Sequence, residues 1–234
     1  MRVTKHGSYL TQLTRLFAFS CYFVREDDGL TLIDTNLSGT AKPILEAAKE
    51  QGAPIRRILL THDHGDHVGS LDELHELIPD ADVMISARDA RFLRGDMSLD
   101  PDEPQSKLRG SYQVCKTKPT RLLNAGDVVG SLEVIASPGH TPGHIAFLDC
   151  RDRTLIAGDA YTTQAGISTA GTLRVLFPFT AMAYWDKPTM IRSAEALAAL
   201  QPSRLAVGHG PVLENPVPEM QKAIAEAHRL VDGK

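Results

Sequence analysis

The chain has 234 residues, with 25 Lys and Arg against 29 Asp and Glu and a formal net charge of −4. That length suits one large core, so one domain over residues 1–234 is expected. The acidic balance offers no broad basic footprint for nucleic acid. No run approaches the roughly 20 apolar residues of a membrane span. Neither nucleic acid nor a membrane is therefore an expected partner. The cysteines Cys21, Cys115 and Cys150 are widely spaced and odd in number. That usage points to a reducing compartment, the cytoplasm.

Taken in order, strand and helix signals alternate. Leu16 to Val24 is apolar, aromatic and β-branched, and suits a first core strand better than a secretory leader. It would pair with Leu30–Asp34 across the turn Glu26-Asp27-Asp28-Gly29. Asp34 ends that second strand as a turn carboxylate. Residues 40–51 read as a helix with Ile44, Leu45 and Ala48 on one face and Gly52 as its stop. Ile55–Thr61 is a strand. Leu71, Leu74, Leu77 and Ile78 recur at helical spacing before Pro79, with His75 a solvated residue on that helix. Val83–Ile85 is a short strand, and Ser86 is expected to cap the next helix with Asp89 as the capping-box acid.

Residues 95–119 lack periodicity, and either form a functional loop or conceal a helix. Leu132–Ala136 is a strand, and Ile145–Leu148 pairs with Thr154–Ala157 across Asp149–Arg153. Residues 160–187 are rich in apolar groups, among them Leu173, Val175, Leu176, Phe177 and Trp185. They read equally as core or as the wall of a substrate pocket. Met190–Leu200 is a helix, Arg204–Val207 a strand, and Pro218–Val231 a final helix. His6 and His228 are expected to be solvated. Periodicity alone supports a mixed α/β domain.

The distinctive stretch is His62-Asp63-His64-Gly65-Asp66-His67. Three His and two Asp within six residues cannot share an apolar core, because their polar atoms would lose water without gaining partners. An extended chain aims residues i and i+2 alike, so His62 and His64 can face one point. Asp66 and His67 can turn back towards a second. Neutral imidazole and carboxylate are good ligands for zinc and similar metals.

This run resembles the signature of the metallo-β-lactamase-fold hydrolases. Further landmarks follow in that family's order: Asp34, Gly139-His140-Thr141-Pro142-Gly143-His144, Gly158-Asp159 and Gly208-His209-Gly210. The resemblance implies a four-layer αββα sandwich. It implies that His62, His64 and His140 hold one divalent metal, that Asp66, His67 and His209 hold a second, and that Asp159 bridges. Zinc is the first expectation, with iron or manganese as alternatives. Asp34 would support the metal loop from behind, and His144 would be structural rather than a ligand.

Two divalent ions would share a hydroxide able to attack an ester-like carbonyl. Asp66 would pass a proton to the leaving group, and Tyr161 is a candidate oxyanion donor. The ligand types resemble those of glyoxalase II and the acyl-homoserine-lactone lactonases. Only 25 residues (234 − 209) follow His209, enough for one helix and too few for a glutathione-holding region. The lactonases carry Tyr three residues after the bridging Asp, whereas here Tyr161 is two after it and Thr162 is third. The apolar 160–187 segment nevertheless favours a lactone. A glyoxalase II-like thioester hydrolase is the alternative, and a non-catalytic metal-binding module the remaining one.

Overall fold

The computed structural model describes residues 1–169, 171–231 and 233, with the side chains of Phe179 and Thr180 outside the description. The chain divides into two compact units, Met1–Asp96 with Ser111–Leu123, and Met97–Gly110 with Asn124–Lys234.

The first unit is a seven-stranded sheet in sequential order. Its strands are β1 (Arg2–His6), β2 (Leu10–Arg15), β3 (Phe19–Glu26), β4 (Gly29–Ile33), β5 (Ile55–Leu59), β6 (Asp82–Ser86) and β7 (Arg121–Leu123). β1 to β4 form an antiparallel meander. β4 to β7 run parallel. Parallel neighbours need crossovers. These carry α1 (Ala41–Glu50), α2 (Gly65–Val68), α3 (Leu71–Leu77) and α4 (Ala90–Leu93). α1 buries Ala41, Ile44, Ala47 and Ala48, the stripe expected of a helix laid on a core. That stripe and Leu71 and Leu74 of α3 pack with Leu13, Phe23, Leu32, Ile58 and Val83. Ser20 to Val24 of β3 are buried in succession, so both faces of that strand are covered.

Two local expectations are corrected here, and two open stretches are filled in. β1 and β2 carry no apolar alternation; backbone ladders hold them, and Leu10 and Leu13 of β2 are buried. Gln12 is buried and donates to Ser20 Oγ at 2.9 Å. Leu16 and Phe17 do not begin a strand but turn the chain at φ 46° and 57°, with Phe17 78% exposed. Ser86 does not cap a helix directly. Its Oγ accepts the Asp89 N–H at 3.0 Å, and Asp89 is the N-cap of α4. Residues 95–119 hold no helix.

The second unit is a six-stranded sheet, order β15-β14-β11-β10-β9-β8. Its strands are β8 (Val128–Val129), β9 (Leu132–Ala136), β10 (Ile145–Asp149), β11 (Thr154–Ile156), β14 (Arg204–Ala206) and β15 (Leu213–Glu214). A separate ribbon pairs β12 (Tyr161–Thr162) with β13 (Ser168–Thr169). Only β11 and β14 pair in parallel among the described strands of this sheet. The crossover between them carries α5 (Lys187–Ala199), and α6 (Val217–Val231) follows β15. Ala194, Leu197 and Ala198 of α5 and Met220 and Ala223 of α6 pack on Ala146, Leu155, Leu205 and Val207 of the sheet. α5 starts three residues before the expected Met190 because the Asp186 carboxylate accepts the Thr189 N–H at 3.1 Å and so caps the first turn. Among the described residues, no helix is long and apolar enough to cross a membrane.

Candidate metal centre

In the first unit the donors lie just past the end of β5. His64 is extended, with φ −116° and ψ 149°, and starts the single turn α2 that carries Asp66 and His67. His62, His64 and His67 are buried, whereas Asp66 is only partly so. The His62 ring lies 4.8 Å from that of His64 and 4.0 Å from that of His67, centre to centre.

Asp34 sets the orientation of these rings. Its Oδ1 accepts the Thr61 N–H at 2.8 Å, and its Oδ2 accepts the Thr61 hydroxyl at 2.8 Å. The same Oδ2 lies 2.8 Å from His67 Nδ1. A carboxylate only accepts, so His67 carries its proton on Nδ1 and presents Nε2 as the ligand atom. Thr61 has already given its hydroxyl proton to Asp34. At 2.9 Å from His62 Nδ1, Thr61 Oγ1 therefore accepts from that nitrogen. His62 is thereby fixed in the same tautomer.

The intervening Asp63 points elsewhere. It is fully buried, and its N–H donates to Asp89 Oδ2 at 3.2 Å. Burial first, then the Asp89 charge, push its carboxyl up to about 8. Ser111 accepts the Gly65 N–H at 2.7 Å, and the Tyr112 ring stands edge-on to His64 at 4.7 Å. These contacts were not anticipated, because Tyr112 is an isolated aromatic in an aperiodic stretch.

In the second unit, β9 delivers Gly139 and His140. Gly139 has φ 131°, and a Cβ there would sit 2.3 Å from Met190 Cα, so only glycine fits. Its carbonyl accepts the Trp185 and Asp186 N–H groups at 3.0 and 2.9 Å. β11 delivers Asp159 and β14 delivers His209. Their parallel register pairs Ile156 with Ala206, and three residues further along each strand stand Asp159 and His209. Asp159 Oδ2 lies 3.1 Å from His209 Nε2 and 3.5 Å from His140 Nε2.

His144 is, as expected, a support. Its Nε2 accepts the Asp159 N–H at 3.1 Å, so Nδ1 holds the proton and donates to Ser137 Oγ at 2.8 Å. Tyr161 departs from expectation. It is buried in the core with Ala194, Leu197 and Leu205, and its hydroxyl donates to the Ala194 carbonyl at 2.7 Å. A phenol has one proton to give, so none remains for an oxyanion. Within the 160–187 segment, Phe177 is buried with its ring 5.4 Å from that of His209, and Trp185 is also buried. Val175 and Leu176 are 86% and 87% exposed.

Each unit thus brings its own donors together: His62, His64, Asp66 and His67 past β5 in the first, and His140, Asp159 and His209 at the strand ends of the second. Buried imidazoles, two of them held in one tautomer, together with two carboxylates match the chemistry of a dinuclear divalent-metal site.

The family model of the Metallo-beta-lactamase superfamily matches residues 15–209. The chain belongs to this superfamily. It is 48% identical over 232 residues to the uncharacterized protein YobT of Bacillus subtilis (strain 168), covering 98% of this chain and 100% of that one. It is 33% identical over 140 residues to the hydroxyacylglutathione hydrolase of Xanthomonas euvesicatoria pv. vesicatoria (strain 85-10), covering 59% of this chain and 46% of the relative. Among solved structures, TTHA1623 in a di-iron-bound form matches with TM-score 0.64 and 25% identity, over 90% of this chain and 96% of that one. The α/β sandwich class expected from the sequence is that of the superfamily, and the chain is a metal-dependent hydrolase with a dinuclear site.

Proposed function

We propose that this superfamily member hydrolyses a small-molecule thioester. His62, His64 and His140 would hold one metal and Asp66, His67 and His209 the other, with Asp159 as the carboxylate shared between them. One observation carries the bridging role: a single oxygen, Asp159 Oδ2, lies within 3.5 Å of His140 Nε2 and within 3.1 Å of His209 Nε2. When bound, two divalent ions supply Lewis acidity and a nucleophile that exists at neutral pH. The di-iron form of TTHA1623 supports iron beside zinc as a candidate metal.

Asp66 is the more exposed carboxylate of the set, 20% against 6% for the Asp159 side chain. That access lets it pass a proton between solvent and a departing group. A thiol leaves with a pKa near 8.5, so it needs less help than an alcohol. This fits a site whose tyrosine is spent on a backbone carbonyl. The lactone preference drawn from the sequence rested on Tyr161 and on an apolar wall, and both supports weaken. The Tyr161 hydroxyl is committed to Ala194, and Val175 and Leu176 are exposed. The likeness to hydroxyacylglutathione hydrolases also favours the thioester, although the chain spans less than half of that relative. Cys21, Cys115 and Cys150 are all free thiols, in keeping with a reducing cytoplasm.

The test compares kcat/KM for S-lactoylglutathione, acetyl-coenzyme A and a medium-chain lactone on one metal-loaded preparation. The thioesters should be the better substrates. A clear preference for the lactone would overturn the assignment.

A further inference from the structure

Residues 97–110 contribute no metal donor and no regular structure, yet they are anchored at two points. Ser106 Oγ donates to Asp186 Oδ1 at 2.9 Å, and Arg109 Nη1 donates to the Tyr184 hydroxyl at 3.0 Å. The Arg109 guanidinium carbon lies 4.9 Å from the Tyr184 ring centre, and Lys187 Nζ lies 5.1 Å from the same centre. Two cations therefore share one aromatic ring, which attracts each of them but cannot cancel their mutual repulsion.

The nearby carboxylate does not neutralise them. Asp186 Oδ1 is taken by Ser106, and Oδ2 accepts the N–H and hydroxyl of Thr189. Arg192, which donates to Thr189 Oγ1, adds a third cation close enough to act on Asp186. Three positive groups face one negative group, a local excess of two. Among the described residues, neither Arg109 nor Lys187 has an ion-pair partner. Arg109 uses one of its five N–H donors on Tyr184, leaving a fork suited to an oxyanion.

The cluster is also tied to the metal-binding turn. Trp185 and Asp186 both donate to the carbonyl of Gly139, the residue before His140. Tyr184 and Lys187 flank that pair in the chain. An anion held there would sit at a fixed offset from a carbonyl presented to the donors. We propose that Arg109 and Lys187, carried on Tyr184, form the subsite for an oxyanion in the thiol portion of the substrate. This rests on the thioester reading only in identifying that anion as part of the substrate. The chemistry is shared by the carboxylates of glutathione and the phosphates of coenzyme A.

The experiment uses the full chain, metal-loaded, as wild type, Arg109→Ala, Lys187→Gln and Arg109→Lys. KM is measured for S-lactoylglutathione, acetyl-coenzyme A and the uncharged S-acetyl-N-acetylcysteamine. In the Ala and Gln variants, KM for at least one anionic thioester should rise roughly 10-fold or more beyond any change for the uncharged one. Arg109→Lys should recover part of that loss. Whichever of the two anionic thioesters responds identifies the source as carboxylate or phosphate. Equal changes across all three substrates would overturn the subsite. Calorimetric titration with glutathione and coenzyme A separates the two readings. If no thioester is turned over but thiol binding still weakens in Arg109→Ala, the thioester assignment falls and the subsite stands. If thioesters are turned over and neither binding nor KM discriminates, the subsite falls.

Discussion

Replacing Asp34 with Asn keeps the shape of the side chain and reverses one end of its hydrogen bonding. Three buried donors now end on Asp34: the Thr61 N–H, the Thr61 hydroxyl and His67 Nδ1–H. An Asn carbonyl can still accept the Thr61 N–H. Its amide nitrogen must then face the other two donors. The Thr61 hydroxyl can rotate away, but its proton then meets His62 Nδ1–H and presses that ring towards the wrong tautomer. His67 Nδ1–H keeps no acceptor on Asp34. Orphaning one such buried donor costs about 1–3 kcal/mol, and loss of a support behind a ligand lowers metal affinity about 10–100-fold. Strain is not the cause, because Asn tolerates the φ of 62° found here. Asp34→Ala should lose more, since Ala adds about 1–2 kcal/mol at such a φ. Competition with a chelator reads the affinity, and denaturant unfolding of the stripped protein reads the stability. An Asp34→Asn protein that matches wild type in both would refute the tautomer argument.

Two further outcomes follow from the same geometry. Asp159→Asn removes one ligand charge without changing volume, and should lower metal affinity by at least about 10–100-fold together with turnover; elemental analysis finding two equivalents of metal and normal rates would sink the bridging role. Asp63 holds its proton to about pH 8 in the fold against 3.8 for an unperturbed carboxyl. Its contribution is therefore full below pH 3.8 and is lost as pH climbs through about 8. Metal-free protein should melt at progressively lower temperature across that window, and Asp63→Asn should flatten the slope; an unchanged slope would mean that Asp63 titrates normally.

The metal donors were legible because their positions depend on short-range rules. His62 and His64 alternate along an extended stretch, and Gly139 marks a turn that admits no side chain. What escaped notice depends on partners distant in sequence. β2 lies against β3 with buried Gln12 meeting Ser20 across the strand pair, and no apolar pattern reports such a contact. Tyr161 differs from its expected role because its distance from Asp159 in sequence gives proximity but not direction. β12 turns it into the core beneath α5, where the Ala194 carbonyl claims its proton. Arg109 and Tyr112 lie in a stretch whose conformation is set by the residues it touches, Tyr184 and His64, and not by its own periodicity.

The placement of the donors follows from where each unit runs its strands in parallel. In the first unit Ile33 of β4 pairs with Leu59 of β5, both strands end together, and Asp34 meets Thr61 at that edge. In the second, Ile156 of β11 pairs with Ala206 of β14, and Asp159 and His209 emerge side by side. Antiparallel neighbours would send the two continuing chains to opposite ends of the sheet. Parallel neighbours bring both carboxyl ends to one edge, where side chains can converge without breaking a hydrogen-bonded ladder. Each crossover adds its own restraint. The one carrying α1 leaves Asp34 at the start of a tight turn laced to His67 by the Thr35 N–H at 2.6 Å. The one carrying α5 sets Met190 against Gly139 and anchors the Trp185 and Asp186 amides on the carbonyl before His140. The helices that make a parallel pair topologically possible are thus also the elements that fix the aim of the histidines.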